Sequence, residues 1–357
     1  MTFRLLITGG AGFVGSNLAC AFRRDHSDWK VVAFDNLKRR GSELAIERLR
    51  RCGVEFHHGD VRCADDLEAA GPADLLIECS AEPSVHAGYQ DGPHYLIATN
   101  LGGTVNCLEH LRRHGGHLLF LSTSRVYPIG GLRALPFERQ GDRIALPSGS
   151  AGGGWSAAAG IGESFPLGGS RSMYGATKLA SELLIEEYRA MYGLRAVVNR
   201  CGVLAGPWQM GKVDQGFMVL WMARHVYGGA LAYTGFGGEG LQVRDILHID
   251  DLYDLLSLQL RQIDRHSGAI YNVAGGADRS VSLRELTGLC QRLTGKFLQI
   301  GQVAETRPAD VPYFVGDSSC VQASTGWRPQ RRLDALLEDI HRWLVDQRVQ
   351  LGPILGT

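Results

Sequence analysis

A glycine-rich turn near the start of the chain constrains its fold more than any other feature. Residues 8–15 read TGGAGFVG and lie between the apolar run 5–7 and a segment with helical spacing. Such a turn needs backbone freedom where the chain reverses, no side chain where a phosphate approaches, and a small residue where the helix packs on the sheet. The start of the helix then presents N–H groups and a partial positive charge to an anion. The positions predicted to contact phosphate are Gly9, Gly12, Phe13, Val14 and Gly15.

Six short apolar runs alternate with helical patterns through the first half of the chain. Residues 13–22 and 95–111 have the clearest helical spacing. Continuous apolar strands that alternate with helices indicate a parallel sheet covered on both faces, and right-handed crossovers make that sheet doubly wound. The sequence therefore predicts an α/β fold of the Rossmann type. The predicted strands contain residues 5–7, 31–34, 54–56, 75–77, 118–121 and 196–198.

The second half of the chain is less regular and predicts a smaller C-terminal α/β domain that binds the substrate. A helical pattern covers residues 213–227, and a last helix is expected over about residues 333–345. Between them, Ser282 and Glu285 form a capping box that opens another helix. The expected bounds are 1–202 with a returning strand and helix at about 241–274 for the first domain, and 203–240 with 275–357 for the second.

Residues 130–169 are rich in glycine, serine, alanine and proline and have no clear periodicity. A loop of this length inside a compact domain is usually functional or disordered. We interpret it as a cover over an active site, with a passive insert as the alternative.

The charge balance and the cysteine pattern exclude several classes of function. The chain has 37 basic and 37 acidic side chains, so no global field favours nucleic acid or an anionic membrane. Its 8 cysteines form no C-x-x-C pair and no cluster with zinc-ligand spacing, so we expect reduced thiols and no metal site. The first apolar run is too short for a signal peptide, and no stretch approaches the ~20 apolar residues of a membrane span. We therefore expect a cytoplasmic protein without nucleic-acid or membrane partners.

Asp35 ends the second predicted strand, 20 residues after the last glycine of the turn, and completes the signature of a dinucleotide site. A carboxylate there accepts hydrogen bonds from the adenosine ribose and repels a 2′-phosphate, which favours NAD over NADP. The nearby Arg39 and Arg40 weaken that preference. After the third strand, Asp60 and Val61 are predicted to meet the adenine edge, with an ordinary turn as the alternative role of Asp60.

Tyr174 and Lys178 lie four residues apart at the start of a predicted amphipathic helix, so they share one face of it. A tyrosine phenol ordinarily has a pKa of about 10 and is a poor base near neutrality. A nearby cation favours the phenolate, and Lys178 supplies that charge while it can also donate to the nicotinamide ribose. This spacing is common on helices, but here it follows five strands and a phosphate-binding turn. The pair therefore predicts an acid–base site.

The fifth predicted strand ends in the hydroxyl-rich run 121–127, LSTSRVY. The carboxyl end of a strand lies at the edge where α/β sheets bind their ligands. A hydroxyl there can hold a substrate oxygen beside Tyr174, and the alternative is an ordinary turn at a strand end.

These features together resemble the extended short-chain dehydrogenase/reductase family, which contains sugar-nucleotide epimerases and dehydratases. The resemblance covers nearly the whole chain and includes residues 244–251, 271–273 and 326–329. It implies NAD as the cofactor. It also implies that Thr123 is the catalytic hydroxyl, that Tyr174 is the acid–base residue and that Lys178 is the cation that assists it. The further cofactor contacts that we expect are Asn36, Ser80, Ala81 and Asn100.

The residues after the catalytic threonine favour epimerisation. The dehydratases of the family follow this threonine with an Asp-Glu pair that removes water, whereas this chain has Ser124 and Arg125. An epimerase instead oxidises a carbinol, lets the sugar present its other face and returns the hydride, so NAD is regenerated in each cycle. Within the family the chain is most similar to CDP-paratose and CDP-tyvelose 2-epimerases, through residues 214–216 and 242–248 and the length of the segment before Tyr174. A UDP-hexose 4-epimerase and an NAD-sensing binding protein without turnover are the alternatives.

Arg244 and Arg307 are the candidates for binding the diphosphate of a CDP- or UDP-hexose. A planar guanidinium meets phosphate oxygens with two parallel hydrogen bonds, although each arginine is alternatively a member of a surface ion pair. Glu82, after the fourth strand, either contacts the sugar or caps a helix. The other substrate contacts that we expect are Ser124, Arg125 and Gln215. The resemblance also implies a homodimer that pairs helices over about residues 95–112 and 174–192 of each copy.

Overall fold

The computed structural model describes residues 2–89, 92–212 and 215–356. Seven strands form its central sheet: β1 (Arg4–Thr8), β2 (Lys30–Asp35), β3 (Glu55–His58), β4 (Leu75–Glu78), β5 (His117–Thr123), β6 (Arg195–Cys201) and β7 (Ile270–Val273). Their order is β7-β6-β5-β4-β1-β2-β3, and strands β1 to β5 pair in parallel. The order reverses between β1 and β4, which is where doubly wound sheets bind ligands. The predicted Rossmann-type fold and its six predicted strands are confirmed, and the returning strand is β7.

Helices connect these strands and cover the sheet. Five of them are α1 (Phe13–Asp25), α2 (Ala45–Arg51), α3 (Ala64–Ala70), α4 (Gly103–His114) and α5 (Met173–Tyr192). Two further helices, Ile249–Arg261 and Ile263–His266, precede β7. The predicted helix over residues 95–111 forms in three parts, because a short helix (His94–Ile97) and a wider π-type turn (Ala98–Gly102) lead into α4. Such π-type turns often occur at functional sites.

The core of this part of the molecule is apolar because the central strands are buried on both faces. Leu6, Leu76 and Leu118 lie on three neighbouring strands and are fully buried. Burial on both faces explains why these strands are continuous apolar runs in the sequence.

Contacts divide the chain into two compact units. The first comprises the chain up to Val126, Met173–Arg200 and Leu252–Tyr271, and the second comprises Tyr127–Ser172, Cys201–Asp251 and the chain from Asn272 onward. This division differs from the expected domains, which placed about residues 241–251 of the returning part, and the segment 127–172, in the first domain. The reason is that this segment forms its long-range hydrogen bonds with the second unit, for example from Ile161 N to Val315 O (2.8 Å).

The segment 130–169 consists of short, connected strands. It includes the helix Ile129–Arg133 and the strands Glu138–Gln140, Arg143–Ala145, Ala151–Gly152, Trp155–Ser156 and Gly160–Ile161. An ion pair between Arg143 and Glu285 (2.7 Å) and a hydrogen bond from Asn272 Nδ2 to Ile161 O (2.9 Å) fix it within the second unit. Strands of two or three residues are too short to produce a recognisable alternation, which is why the segment has no periodic pattern of apolar residues.

The rest of the second unit combines small sheets with helices. Its other strands are Val203–Ala205, Val243–His248, Ser280–Ser282, Tyr313–Phe314, Leu231–Thr234 and Ile300–Val303. Its other helices are Phe217–Tyr227, Leu283–Thr294, Ser319–Thr325, Leu333–Asp346 and Arg348–Leu355. The predicted capping box is confirmed, since Ser282 Oγ accepts from Glu285 N (3.0 Å) and Ser282 N donates to Glu285 Oε2 (2.9 Å).

One predicted helix begins later than expected, and the helix predicted to be the last is followed by another. The helix expected over 213–227 begins at Phe217, because Gly216 takes a left-handed conformation (φ 75°) before it; Val213 and Asp214 lie outside the described residues. The helix expected at 333–345 forms as Leu333–Asp346, but Arg348–Leu355 follows it. Pro353 inside that final helix hid it, since proline is a poor helix former.

None of the helices in the described ranges is long and apolar enough to cross a membrane. All eight cysteines lie in those ranges, and none of them forms a disulfide.

Candidate active site

The glycine turn follows β1, and its three predicted glycines have different surroundings. Gly9 has a φ of 65°, and a Cβ added to it would lie 2.8 Å from the Cys79 carbonyl. A Cβ on Gly15 would lie 2.2 Å from the Gly9 oxygen, whereas a Cβ on Gly12 would come no closer than 3.1 Å to that atom. The fold therefore requires glycine at 9 and 15, while the side of Gly12 is open for a ligand.

Helix α1 begins next to this open position. Gly12 is its N-cap, and no side chain within the described ranges caps the helix or adds a carboxylate to its first turn. The N–H groups of the first turn, including those of Phe13 and Val14, have no acceptor inside the helix. Because these donors lie at the positive end of the helix dipole, the turn fits the pyrophosphate of a dinucleotide.

Asp35, at the end of β2, is tied to the same turn. Its carboxylate accepts hydrogen bonds from Ala11 N (3.1 Å) and Leu37 N (2.7 Å). Burial raises the pKa of Asp35, and these backbone N–H groups oppose that rise. The carboxylate is therefore held beside the glycine turn, where an adenosine ribose is expected to bind.

Asn36 and Asp60 form a second polar corner after β2 and β3. Asn36 Nδ2 donates to Asp60 Oδ2 (2.9 Å), and Arg62 pairs with the same carboxylate (2.6 Å). The hydrogen bond from Arg62 holds the pKa of Asp60 at about 2. The Asp60 carboxylate also accepts from Arg62 N (3.0 Å), which is the local hydrogen bond of a turn residue, the alternative role considered for Asp60. Val61 beside it is buried, and its side chain packs close to Gly103.

The three predicted catalytic residues lie on adjacent elements of the first unit. Thr123 ends β5, and Tyr174 and Lys178 lie in the first two turns of α5, which packs against β5. Lys178 is only 2% exposed, and its Nζ lies 4.3 Å from the centre of the Phe120 ring on β5. Thr123 is buried and accepts from Arg125 N (3.2 Å), which opens the turn Ser124–Val126. Tyr174 is partly exposed.

Asn100, in the π-type turn, holds two parts of the site together. Its side chain is fully buried and donates to Thr177 Oγ1 on α5 (3.3 Å). It also accepts from Glu82 N (2.8 Å) and donates to Glu82 O (3.2 Å). Asn100 therefore connects the segment after β4, where Ser80 and Ala81 lie, to the helix of the tyrosine–lysine pair. The Glu82 carboxylate accepts from Ser84 N (3.2 Å), so it closes a local turn and does not cap a helix.

Sequence reasoning missed Glu78, a buried carboxylate at the end of β4. Its Oε1 accepts from Thr104 Oγ1 (2.6 Å), and it is in register with Phe120, the residue under the Lys178 ammonium. Burial raises the pKa of Glu78, and the charge of Lys178 opposes that rise. The signal available in the sequence was a single acidic residue at the end of an otherwise apolar strand.

The second unit holds the other predicted substrate residues. Arg244 donates to Val243 O (2.7 Å) and Val311 O (2.6 Å), and Arg307 pairs with Asp310 (3.2 Å). Arg307 is therefore a member of an ion pair, which was the alternative hypothesis for this residue. Gln215 N donates to Lys212 O (3.0 Å) just before the helix Phe217–Tyr227 begins.

The glycine turn, the carboxylate at the end of β2 and the tyrosine–lysine pair on α5 together define a dinucleotide-binding protein of the short-chain dehydrogenase type. Residues 5–274 match the model of the NAD dependent epimerase/dehydratase family, so the chain belongs to that family. NAD is its cofactor, and the residues of the glycine turn and Asp35 would hold it.

The similar proteins carry out more than one reaction. CDP-paratose 2-epimerase of Salmonella typhi is 28% identical over 95% of this chain and 98% of that protein. dTDP-glucose 4,6-dehydratase of Mycobacterium tuberculosis is 29% identical over 92% of this chain and 88% of that protein. Among solved structures, the NAD complex of UDP-glucose 4-epimerase from Thermus thermophilus is 26% identical and matches with a TM-score of 0.73 over 95% of this chain and 99% of that one. Membership of the family therefore does not determine which of these reactions this chain catalyses.

Proposed function

We propose that the protein is a nucleotide-sugar epimerase that works through NAD, and that its substrate is a CDP-sugar inverted at carbon 2. The observation that carries this proposal is that Ser124 and Arg125 directly follow Thr123 beside the tyrosine–lysine pair. The similarity to CDP-paratose 2-epimerase over 95% of the chain supports the choice of sugar nucleotide.

In this proposal Tyr174 takes the proton of the sugar carbinol, because the neighbouring Lys178 favours its phenolate form. Thr123 holds the same oxygen while the proton moves. The chemistry that bound NAD supplies is the reversible acceptance of a hydride from the adjacent carbon. Once the keto sugar has turned within the site, Tyr174 would give the proton back to the same oxygen, and the carbon would then have the opposite configuration. The net reaction inverts one carbon and consumes no reductant.

The same two residues after Thr123 argue against a dehydratase. Removing water from a sugar needs an acid beside the leaving hydroxyl. Ser124 and Arg125 supply no carboxyl group at this place, since one is a hydroxyl and the other a permanent cation.

We further propose that Arg244 and Arg307 bind the diphosphate of the substrate. Backbone carbonyls orient the Arg244 guanidinium, and Asp310 orients that of Arg307. A guanidinium in a fixed orientation loses little entropy when it binds phosphate through two parallel hydrogen bonds. The remaining proposed substrate contacts are Glu82, Ser124, Arg125 and Gln215.

A homodimer is also part of the proposal. Helix α5 exposes Leu183 (59%) and Met191 (66%), which lie about two turns apart. Exposed apolar side chains on one helix are typical of a helix–helix contact with a second copy. We expect the wild type to sediment as a dimer and Leu183→Glu as a monomer; a monomeric wild type would contradict this part of the proposal.

The test of the reaction is incubation of the purified protein with CDP- and UDP-hexoses, followed by NMR to locate the inverted carbon. We expect inversion at carbon 2 of a CDP-sugar. Tyr174→Phe should abolish turnover while NAD stays bound, and the matched control Tyr192→Phe, exposed at the end of the same helix, should remain active.

Other results would support other functions. Inversion at carbon 4 of a UDP-hexose would favour the second candidate, a 4-epimerase, which the match to the Thermus thermophilus enzyme makes reasonable. Binding of NAD without turnover of any sugar nucleotide would favour a cofactor-sensing protein. Unchanged turnover in Tyr174→Phe would refute the proposed acid–base role.

A further inference from the structure

Three potential metal ligands meet where α3 packs beside α4. Glu68 lies on α3, and His110 and His114 lie one turn apart on α4. Glu68 Oε2 lies 2.7 Å from His114 Nε2, and Glu68 Oε1 lies 3.6 Å from His110 Nδ1. One potential ligand atom of each residue lies within 4.8 Å of the others. Donor atoms around a tetrahedral Zn²⁺ ion lie about 3.3 Å apart for bonds of about 2.0 Å, so small side-chain movements would close this cluster around an ion.

His110 is the member of the cluster that most needs an explanation. It is only 2% exposed, and within the described ranges neither ring nitrogen makes a hydrogen bond of ordinary geometry. The backbone carbonyl of Gly71 interacts with the imidazole ring of His110 and favours its protonated form. A metal-bound histidine commonly donates its second N–H to such a carbonyl.

We propose that Glu68, His110 and His114 bind one divalent transition-metal ion, with Zn²⁺ as the reference ion. Two imidazoles and one carboxylate suit Zn²⁺, Co²⁺ or Ni²⁺, whereas Mg²⁺ and Ca²⁺ prefer oxygen ligands alone. Glu68 and His114 are partly exposed, which gives the ion a path from solvent and leaves room for water as the fourth ligand.

Arg113 is the charged group that competes for this carboxylate. It lies 3.4 Å from Glu68, but it is half exposed and also approaches Glu109 (4.0 Å). A surface ion pair of this kind contributes little free energy. Arg113 can therefore turn to Glu109 when a metal ion takes the Glu68 carboxylate.

The position of the cluster indicates a structural role, independent of the proposed reaction. Helix α4 ends at His114, just before β5 begins at His117, whereas Thr123 is at the opposite end of β5. A strand of this length spans roughly 20 Å. A bound ion would therefore cross-link α3 to α4 far from the sugar. The cysteine and histidine spacings predicted no metal site because Glu68 is 46 residues from His114 in the sequence.

The test uses the full-length protein without a histidine tag, dialysed against a chelator. Calorimetric titration with Zn²⁺ should show one ion per chain, and titration with Co²⁺ should produce visible absorption bands of a low-symmetry site. His114→Gln and Glu68→Gln should each weaken Zn²⁺ binding at least tenfold. His94→Gln, an exposed histidine on a different helix, is the matched control and should bind Zn²⁺ like the wild type.

A second readout is thermal unfolding with and without Zn²⁺. Zn²⁺ should raise the Tm of the wild type and leave that of His114→Gln unchanged, because an ion stabilises only the state that binds it. Absence of saturable Zn²⁺ binding by the wild type would overturn the proposal, and the cluster would then be a simple ion pair of Glu68 and His114. Equal affinity of the wild type and both ligand variants would overturn it as well. Neither result bears on the epimerase proposal, since no sugar or NAD is involved.

Discussion

Glu182 and Arg200 form a buried ion pair with a closest distance of 2.7 Å between nitrogen and oxygen. Arg200 lies on β6, and Glu182 lies on α5 one turn after Lys178. The hydroxyl of Ser122 donates to the same carboxylate. Because Ser122 precedes Thr123 on β5, one buried side chain connects the strand of the proposed catalytic hydroxyl to the helix of the tyrosine–lysine pair.

This connection predicts that Glu182→Gln will be strongly destabilising. The substitution leaves the Arg200 charge buried without its partner, which typically costs about 3–5 kcal/mol. Denaturant unfolding of both proteins measures the difference. Glu187→Gln, an exposed acid on the same helix, is the control and should leave the free energy of unfolding nearly unchanged. A loss in Glu182→Gln no larger than in that control would show that the pair does not fix α5.

Alanine substitutions at two glycines of the turn should have different effects on stability and on NAD binding. Gly15→Ala puts a Cβ 2.2 Å from the Gly9 oxygen, so the turn must shift, and overpacking of this kind costs about 1–3 kcal/mol. Gly12→Ala meets nothing closer than 3.1 Å, so the fold should tolerate it while the new methyl group obstructs the phosphates. Thermal unfolding and NAD titration should therefore show a lower Tm for Gly15→Ala, and a near-normal Tm with at least tenfold weaker NAD binding for Gly12→Ala. The same loss of Tm in both variants would contradict these separate roles.

We expect the negative charge of Asp35 to determine the preference for binding NAD over NADP. Asp35→Asn keeps an oxygen that can accept from Ala11 N or Leu37 N, but it removes the negative charge that repels a 2′-phosphate. Calorimetric titration should show weaker NAD binding and a preference for NAD over NADP reduced about tenfold, roughly 1.4 kcal/mol. The exposed acid Asp28 is the control, and Asp28→Asn should keep the wild-type preference. An unchanged preference in Asp35→Asn would mean that Asp35 only holds the turn.

The sequence revealed those parts of the fold and site whose signals are local. The apolar runs identified the sheet because its strands are buried on both faces, as at Leu6 and Leu76. The glycine turn and the spacing of Tyr174 and Lys178 are also local patterns, since each lies within one turn of chain or helix.

What the sequence did not reveal depends on partners that are distant along the chain. Glu182 pairs with Arg200 across 18 residues and with Ser122 across 60. Glu78 gains its significance from Thr104 and from a lysine on another helix. Each of these residues looks like an ordinary charged residue until the sheet brings its partners together.

We expect the buried carboxyl group of Asp245 to make the free energy of unfolding depend on pH. Its side chain is fully buried in the strand Val243–His248, and burial raises its pKa to about 7, although the N–H group of Gly316 among others opposes the rise. In the unfolded chain the same carboxyl titrates at its ordinary value of 3.8. Between these two values the folded protein keeps a proton that the unfolded chain has lost. Raising the pH through this window therefore weakens the fold.

Asp245→Asn removes this titration. The free energy of unfolding of the variant should therefore rise relative to that of the wild type, by about 1 kcal/mol for each pH unit between about pH 4 and pH 7, and then level off. Denaturant unfolding of both proteins across this range measures the difference, because every other titrating group is common to the two. The exposed acid Asp278 is the control, and Asp278→Asn should run parallel to the wild type. If Asp245→Asn also runs parallel to the wild type, the buried carboxyl does not change its protonation in this window.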